Sequence, residues 1–143
     1  NATDAAGRTS DWISLKHAIK ATIIVTITQG NAATILLSLL QAVNVSGGSS
    51  KAMPTMPIWS NLDTAAGDTL VRRTDAATYT TDAGVKNKQV VFEIDPATLD
   101  LEGGFDCVRI VTGASNVANI TQGQYLLTDL RFQQQTPPSA RLD

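Results

Sequence analysis

The chain carries one cysteine and one histidine in 143 residues. With Cys107 alone, no intrachain disulfide and no thiolate metal cluster can form. With His17 alone, nucleophilic catalysis has a single possible imidazole base, placed in a turn between two expected strands. Aromatic residues make up only 5% of the sequence, so most of them are expected to build the core. The net charge of −2 comes from scattered residues of both signs, which excludes a basic nucleic-acid footprint and an acidic tail. No apolar run approaches the roughly 20 residues that span a bilayer, and the first residues lack the basic and apolar regions of a signal peptide. The expectation is a soluble chain that binds neither nucleic acid nor membrane.

Threonine and alanine are abundant, and the apolar residues are patterned. In the stretch from Ala18 to Val43, Ile19, Ala21, Ile23, Val25 and Ile27 alternate with Lys20, Thr22, Thr26 and Thr28. That is a period of two, filled by β-branched residues that suit the pleat. Thr34 to Val43 has apolar residues on both faces and reads as a mid-sheet strand. Gln29, Gly30 and Asn31 tolerate positive φ, so a tight antiparallel hairpin is expected between the two runs.

At 143 residues one domain can bury roughly 68% of the surface that its unfolded chain exposes. Residues 1–10 are small and polar and read as a flexible arm. Residues 11–132 read as the folded domain, and residues 133–143, with two adjacent prolines, as an extended tail. Within the domain, Trp12 to Leu15 reads as a first strand with Trp12 capping one end of the core, and Asn44 to Ser50 as a flexible loop. Lys51 to Pro57 reads as irregular or edge chain because its prolines lack ladder donors. Thr69 to Arg73 and Ala77 to Thr81 read as short strands. Gln89 to Asp95 has Val90, Phe92 and Ile94 on one face, followed by a helical turn with Asp95 as N-cap and Pro96 at its first position. Phe105 to Thr112 is the next strand, Asn116 to Thr121 a loop or short edge, and Gln124 to Phe132 the last strand. Short strands spaced by turn signals, without amphipathic helices, predict an all-β, antiparallel β-sandwich, jelly-roll-like, as a single domain with extended N- and C-terminal arms.

Chemistry is thinly represented. His17 reads as structural or solvent-facing, and Cys107, mid-strand, as a small buried hydrophobe. Asp63, Asp68, Asp95, Asp100, Glu102 and Asp106 sit mainly in turns, where aspartate's hydrogen bonds to its own backbone explain them. None has calcium-loop spacing, and nothing selects two of them as a glycosidase pair. Gly103 and Gly104 lack the lysine and the helix of a phosphate loop. Asn44-Val45-Ser46 and Asn119-Ile120-Thr121 match the glycosylation pattern. Trp12, Trp59, Tyr79 and Tyr125 could stack on sugars, but core packing is the favoured reading. Arg72, Arg73 and Asp75 read as a solvated turn. The assignment is no catalytic residue, no cofactor and no metal.

The segments Phe105-Asp106-Cys107-Val108-Arg109-Ile110-Val111-Thr112-Gly113-Ala114-Ser115, Trp12-Ile13-Ser14-Leu15-Lys16, Thr28-Gln29-Gly30-Asn31-Ala32-Ala33 and Asp63-Thr64-Ala65-Ala66-Gly67-Asp68-Thr69-Leu70 together resemble small β-sandwich decoration, or cement, proteins of tailed-bacteriophage capsids. The similarity spans most of residues 10–132 and carries no catalytic signature. It implies a non-enzymatic virion protein, a dimer or trimer, on the outer capsid surface, where it bridges subunits of the major capsid protein and resists internal DNA pressure. Residues 1–10 and 133–143 are the expected contact segments, with Arg8, Trp12 and Arg141 as contact residues. The alternatives are a neck, tail or head-fibre component, or a carbohydrate-binding module for host attachment.

Overall fold

The computed structural model describes residues 2–130. They form twelve strands: β1 (Ala2–Thr3), β2 (Arg8–Thr9), β3 (Ile13–Ser14), β4 (Lys20–Gln29), β5 (Leu36–Ala42), β6 (Lys51–Ala52), β7 (Met56–Asn61), β8 (Val71–Ala76), β9 (Thr78–Thr80), β10 (Asn87–Ile94), β11 (Cys107–Thr112) and β12 (Asn119–Thr128). Every pairing is antiparallel. One sheet has the order β1-β12-β4-β10-β7-β8. The other has the order β2-β11-β5-β6, with β3 also on β11 and β9 also on β5. The molecule is therefore an all-β sandwich of two antiparallel sheets.

The core follows from the alternation. On β4, Ala21, Ile23, Val25 and Ile27 are buried, and the residues between them are not. They join Leu37 and Leu39 of β5, Ile58 of β7, Val90, Phe92 and Ile94 of β10, and Val108 and Ile110 of β11 in one apolar cluster. Each valine, leucine, isoleucine or phenylalanine among them, fully buried, contributes about 1.5–3 kcal/mol. Ile19 falls outside the pattern because β4 begins at Lys20, and it is exposed.

The expected hairpin from Ala18 to Val43 does not form, because β4 and β5 lie in different sheets. None of residues 29–31 adopts a positive φ, so the reversal that a two-residue hairpin requires is absent. Gly30 answers a different need, since a Cβ there would stand 2.6 Å from the Ala118 carbonyl oxygen. Gln29 is buried and donates through Nε2 to the carbonyls of Ala33 and Asp82, which steers the chain across the end of the sandwich. Leu37 and Leu39 then contribute to the same core from the opposite sheet. The mid-sheet position expected for β5 is observed, between β11 and β6.

Residues 1–10 also differ from the expected flexible arm. β1 pairs with β12 and β2 with β11, so the segment touches both sheets. Asp4 between them is fully buried, and its Oδ1 accepts from Thr121 at 2.8 Å and Thr112 at 3.3 Å. Two-residue strands carry no periodicity, which is why the segment reads as unstructured in the sequence. Asn44 to Ser50 is likewise organised rather than loose, because Asn44 Oδ1 accepts from the amides of Ser46 and Gly48. Asn119 to Thr121 belongs to a continuous β12 and not to a loop. The 3-10 turn at Pro96–Thr98 has Asp95 as its cap, accepting from the Ala97 amide at 2.9 Å, as its sequence predicts. The expected tail, residues 133–143, lies outside the described residues.

Candidate interaction surfaces

The six carboxylates singled out in the sequence are spent locally or stand apart. Asp63 meets Lys86 at 2.7 Å, and that hydrogen bond holds its carboxyl below the usual range. Asp100 pairs with Lys51, which lowers it in the same way. Asp95 caps its turn, and Asp106 accepts the Cys107 thiol. Asp68 and Glu102 are exposed. Cys107 is buried, and burial together with the Asp106 hydrogen bond pushes its thiol up to about 12. A thiol with that value holds almost no nucleophilic thiolate at neutral pH. His17 is exposed in the turn before β4. Among the described residues, no three His, Cys, Asp or Glu side chains converge in a way that could hold a metal ion.

The four aromatic residues that could have built a sugar platform are dispersed. Tyr79 and Tyr125 pack against the core. Trp59 lies on the outer face of the larger sheet under Arg72, with the guanidinium 5.2 Å from the ring. Trp12 corrects the expected core cap. Its neighbour Ile13 pairs with the inward Val108, which turns Trp12 to the outer face of the smaller sheet. There Arg109 stacks on it at 4.4 Å, and Gly47, at φ 81, leaves room for the indole. Stacked arginine–tryptophan pairs of this kind are favourable by about 0.5–2 kcal/mol according to exposure.

The larger sheet presents the more extensive outer face. The ladder registers align Gln122, Gln124 and Leu126 of β12 with Thr26, Ile24 and Thr22 of β4, and these with Gln89, Val91 and Glu93 of β10. Trp59 continues the row beside Val91. Apart from Glu93, the outward residues in these rows of the central strands are threonine, glutamine, isoleucine, valine and leucine. Charge enters at one end, where Lys20 pairs with Glu93 at 3.1 Å. A face of this composition is depleted in charge, as the centres of protein interfaces are.

Of the expected contact residues, Arg8 is exposed on β2 and Trp12 is half-buried beside β3, so both lie along the β11 edge of the smaller sheet. Arg141 lies outside the described residues. The outer face of β4, β10 and β12 is absent from the contact assignment made on sequence. Its signal was the run of polar partners in the β4 alternation, which identifies an outward face without distinguishing solvent from protein as what it meets. Of the two glycosylation matches, Asn119 is buried, with Nδ2 donating to Ala33 and Ser115, while Asn44 is exposed. Comparison with protein-family models, curated proteins and solved structures gives no match.

Proposed function

We propose that this chain is a non-enzymatic virion structural protein that binds the outer surface of a phage capsid and bridges major capsid protein subunits. The observation that supports this reading is the broad, nearly uncharged outer face of β12, β4 and β10, a surface suited to another protein rather than to a small substrate. The strand path, in which β10, β11 and β12 alternate between the sheets, is compatible with the jelly-roll-like arrangement of this reading. On this reading the protein is a dimer or trimer on the capsid exterior, and Arg8 and Trp12 contribute a second contact along the β11 edge. A contact that is weak at one position still stabilises a closed shell when repeated over many equivalent positions. A host-attachment module finds less support, because Trp12 and Trp59 lie on opposite outer faces and cannot stack on one sugar.

The test is cosedimentation of the purified chain with expanded, undecorated capsids, compared with unexpanded shells. Saturable binding at a whole-number ratio per capsid subunit, lost in Thr26→Lys, supports the proposal. Absence of binding to either shell sinks it and leaves the neck, tail, head-fibre and glycan readings, the last checked on a glycan array.

A further inference from the structure

The two edges of the larger sheet are guarded differently. The β8 edge carries Arg72, Arg73 and Asp75, and its ladder to β7 is interrupted by a register shift between Met56 and Ile58. Arg73 turns its charge inward, donating to the buried Ser60 at 2.7 Å. Charges, bulges and inward-pointing ionic side chains are the devices that keep a free edge from pairing with another chain. The opposite edge, along β12, has none of them between Gln122 and Thr128: that run holds no charged residue and no proline, and its ladder to β4 is continuous. Among the described residues, β1 covers this edge only at Ile120 and Thr121. Beside the exposed Gly123 the sheets part over a cleft of about 190 Å³, lined in part by Val25, Ile110, Thr112 and Thr121.

We propose that the β12 edge pairs antiparallel with the same edge of a second copy of this chain, about a two-fold axis at Tyr125. The edge is self-complementary in that register. Gln122 stands opposite Thr128, Gly123 opposite Leu127 and Gln124 opposite Leu126, so no like charges are opposed. Residues opposite one another point to the same face of a sheet. Gly123, Tyr125 and Leu127 face inward, in register with Val25, Ile23 and Ala21. Leu127 of each copy therefore lies beside Gly123 of the other, at the cleft that the missing side chain leaves open. The ends of the edge match as well. β1 stops at Thr121, the incoming strand ends at Thr128 opposite Gln122, and Asp129, at φ 53, leaves the strand conformation before it would meet Ala2. Such a contact is isologous and closes at two copies, so it consumes both unguarded edges and leaves no template for a third chain. The outer faces of the two larger sheets then become one continuous surface. This inference does not depend on the capsid reading.

The experiment is sedimentation equilibrium of the full chain over a range of concentrations, with two double variants on the outward positions of β12. The expected species is a dimer, at twice the 15.1 kDa of one chain. Gln124→Lys with Leu126→Lys places like charges opposite one another twice across the axis and is expected to weaken the dimer about tenfold or more. Gln124→Lys with Leu126→Glu places opposite charges there instead and is expected to keep it. Both variants retain the far-ultraviolet spectrum of the parent, since neither changes an inward residue. A chain that stays monomeric into the millimolar range overturns the proposal. So does a trimer, which an isologous edge cannot close. A dimer that both double variants leave unchanged, or that both weaken equally, also overturns it, because the contact then lies elsewhere or in another register.

Discussion

The backbone amide of Ile110, in the smaller sheet, donates to the hydroxyl of Tyr125, which reaches across from the larger one at 2.9 Å. The same amide lies 3.2 Å from Ser10 Oγ, and Ser10 returns its own amide to the Ile110 carbonyl at 3.0 Å. These bonds fill the gap along β11 between β2 and β3. Tyr125→Phe removes one of two acceptors and leaves the amide with Ser10, so the expected cost is about 1 kcal/mol. Urea denaturation would record it as a lower midpoint at unchanged slope.

The side chain of Lys88 is fully buried and bonds to Gln29 Oε1 at 2.8 Å, the Asp82 carbonyl at 2.9 Å and Asp82 Oδ1 at 2.5 Å. Removing the carboxylate strands a buried ammonium, whereas removing the ammonium leaves a half-exposed carboxylate that water can reach. Asp82→Ala is therefore expected to cost about 3 kcal/mol and Lys88→Met clearly less. The order of the two thermal midpoints decides the matter.

Two carboxylate classes give stability two opposite pH dependences. Burial raises Asp4, whose Oδ2 finds no partner. The folded state then holds that proton more tightly than the unfolded chain. Stability is greatest below the ordinary carboxylate value and declines as pH rises from there to the raised value. Hydrogen bonds from Lys88, Lys86 and Lys51 lower Asp82, Asp63 and Asp100 respectively, so their contributions are present above the ordinary value and fade as pH falls below it. Asp4→Asn should abolish the decline on the alkaline side of that value and leave the acid-side loss in place. Unfolding free energies measured across pH 2 to about pH 7 test both arms.

Gly47 and Gly67 make a matched pair. At Gly47, a Cβ would meet Trp12 Nε1 at 2.5 Å on a backbone at φ 81, whereas at Gly67 nothing lies within 4 Å. Gly47→Ala is expected to destabilise by more than about 1 kcal/mol and to shift tryptophan emission. Gly67→Ala should be neutral or stabilising by a few tenths of a kcal/mol, to about 1 kcal/mol.

The Cys107 thiol should resist a disulfide reagent at pH 8 in the native protein and react fully in denaturant. Rapid native labelling would contradict its burial and its displacement to about 12.

What the sequence made legible was local. The two-residue period placed Ala21 to Ile27 and Val90 to Ile94 in the core, and Asp95-Pro96 fixed the turn that follows. What it hid depends on partners distant in the chain. Asp4 is buried by Thr112 and Thr121, Gly30 is set by Ala118, and no window around residue 4 or 30 contains those contacts. Strand β12 is not legible as one strand because Thr121-Gln122-Gly123-Gln124 interrupts the apolar pattern. Gly123 nevertheless points inward opposite Val25, where a Cβ would rest 3.4 Å from Ile110. The outer face of the larger sheet was visible only as polar alternation, since composition does not say what a face will meet.

The position of β4 between β12 and β10 sets the order of assembly. Both of its neighbours come from the second half of the chain, and Ala2 must find Thr121. On the ribosome one edge of β4 therefore waits unpaired until residue 94 has emerged and the other until residue 128. Non-local pairing of this kind folds slowly, and the interval leaves Ile23 to Ile27 exposed as a sticky template. The pattern that states the fold most clearly is thus also the stretch most in need of rapid completion.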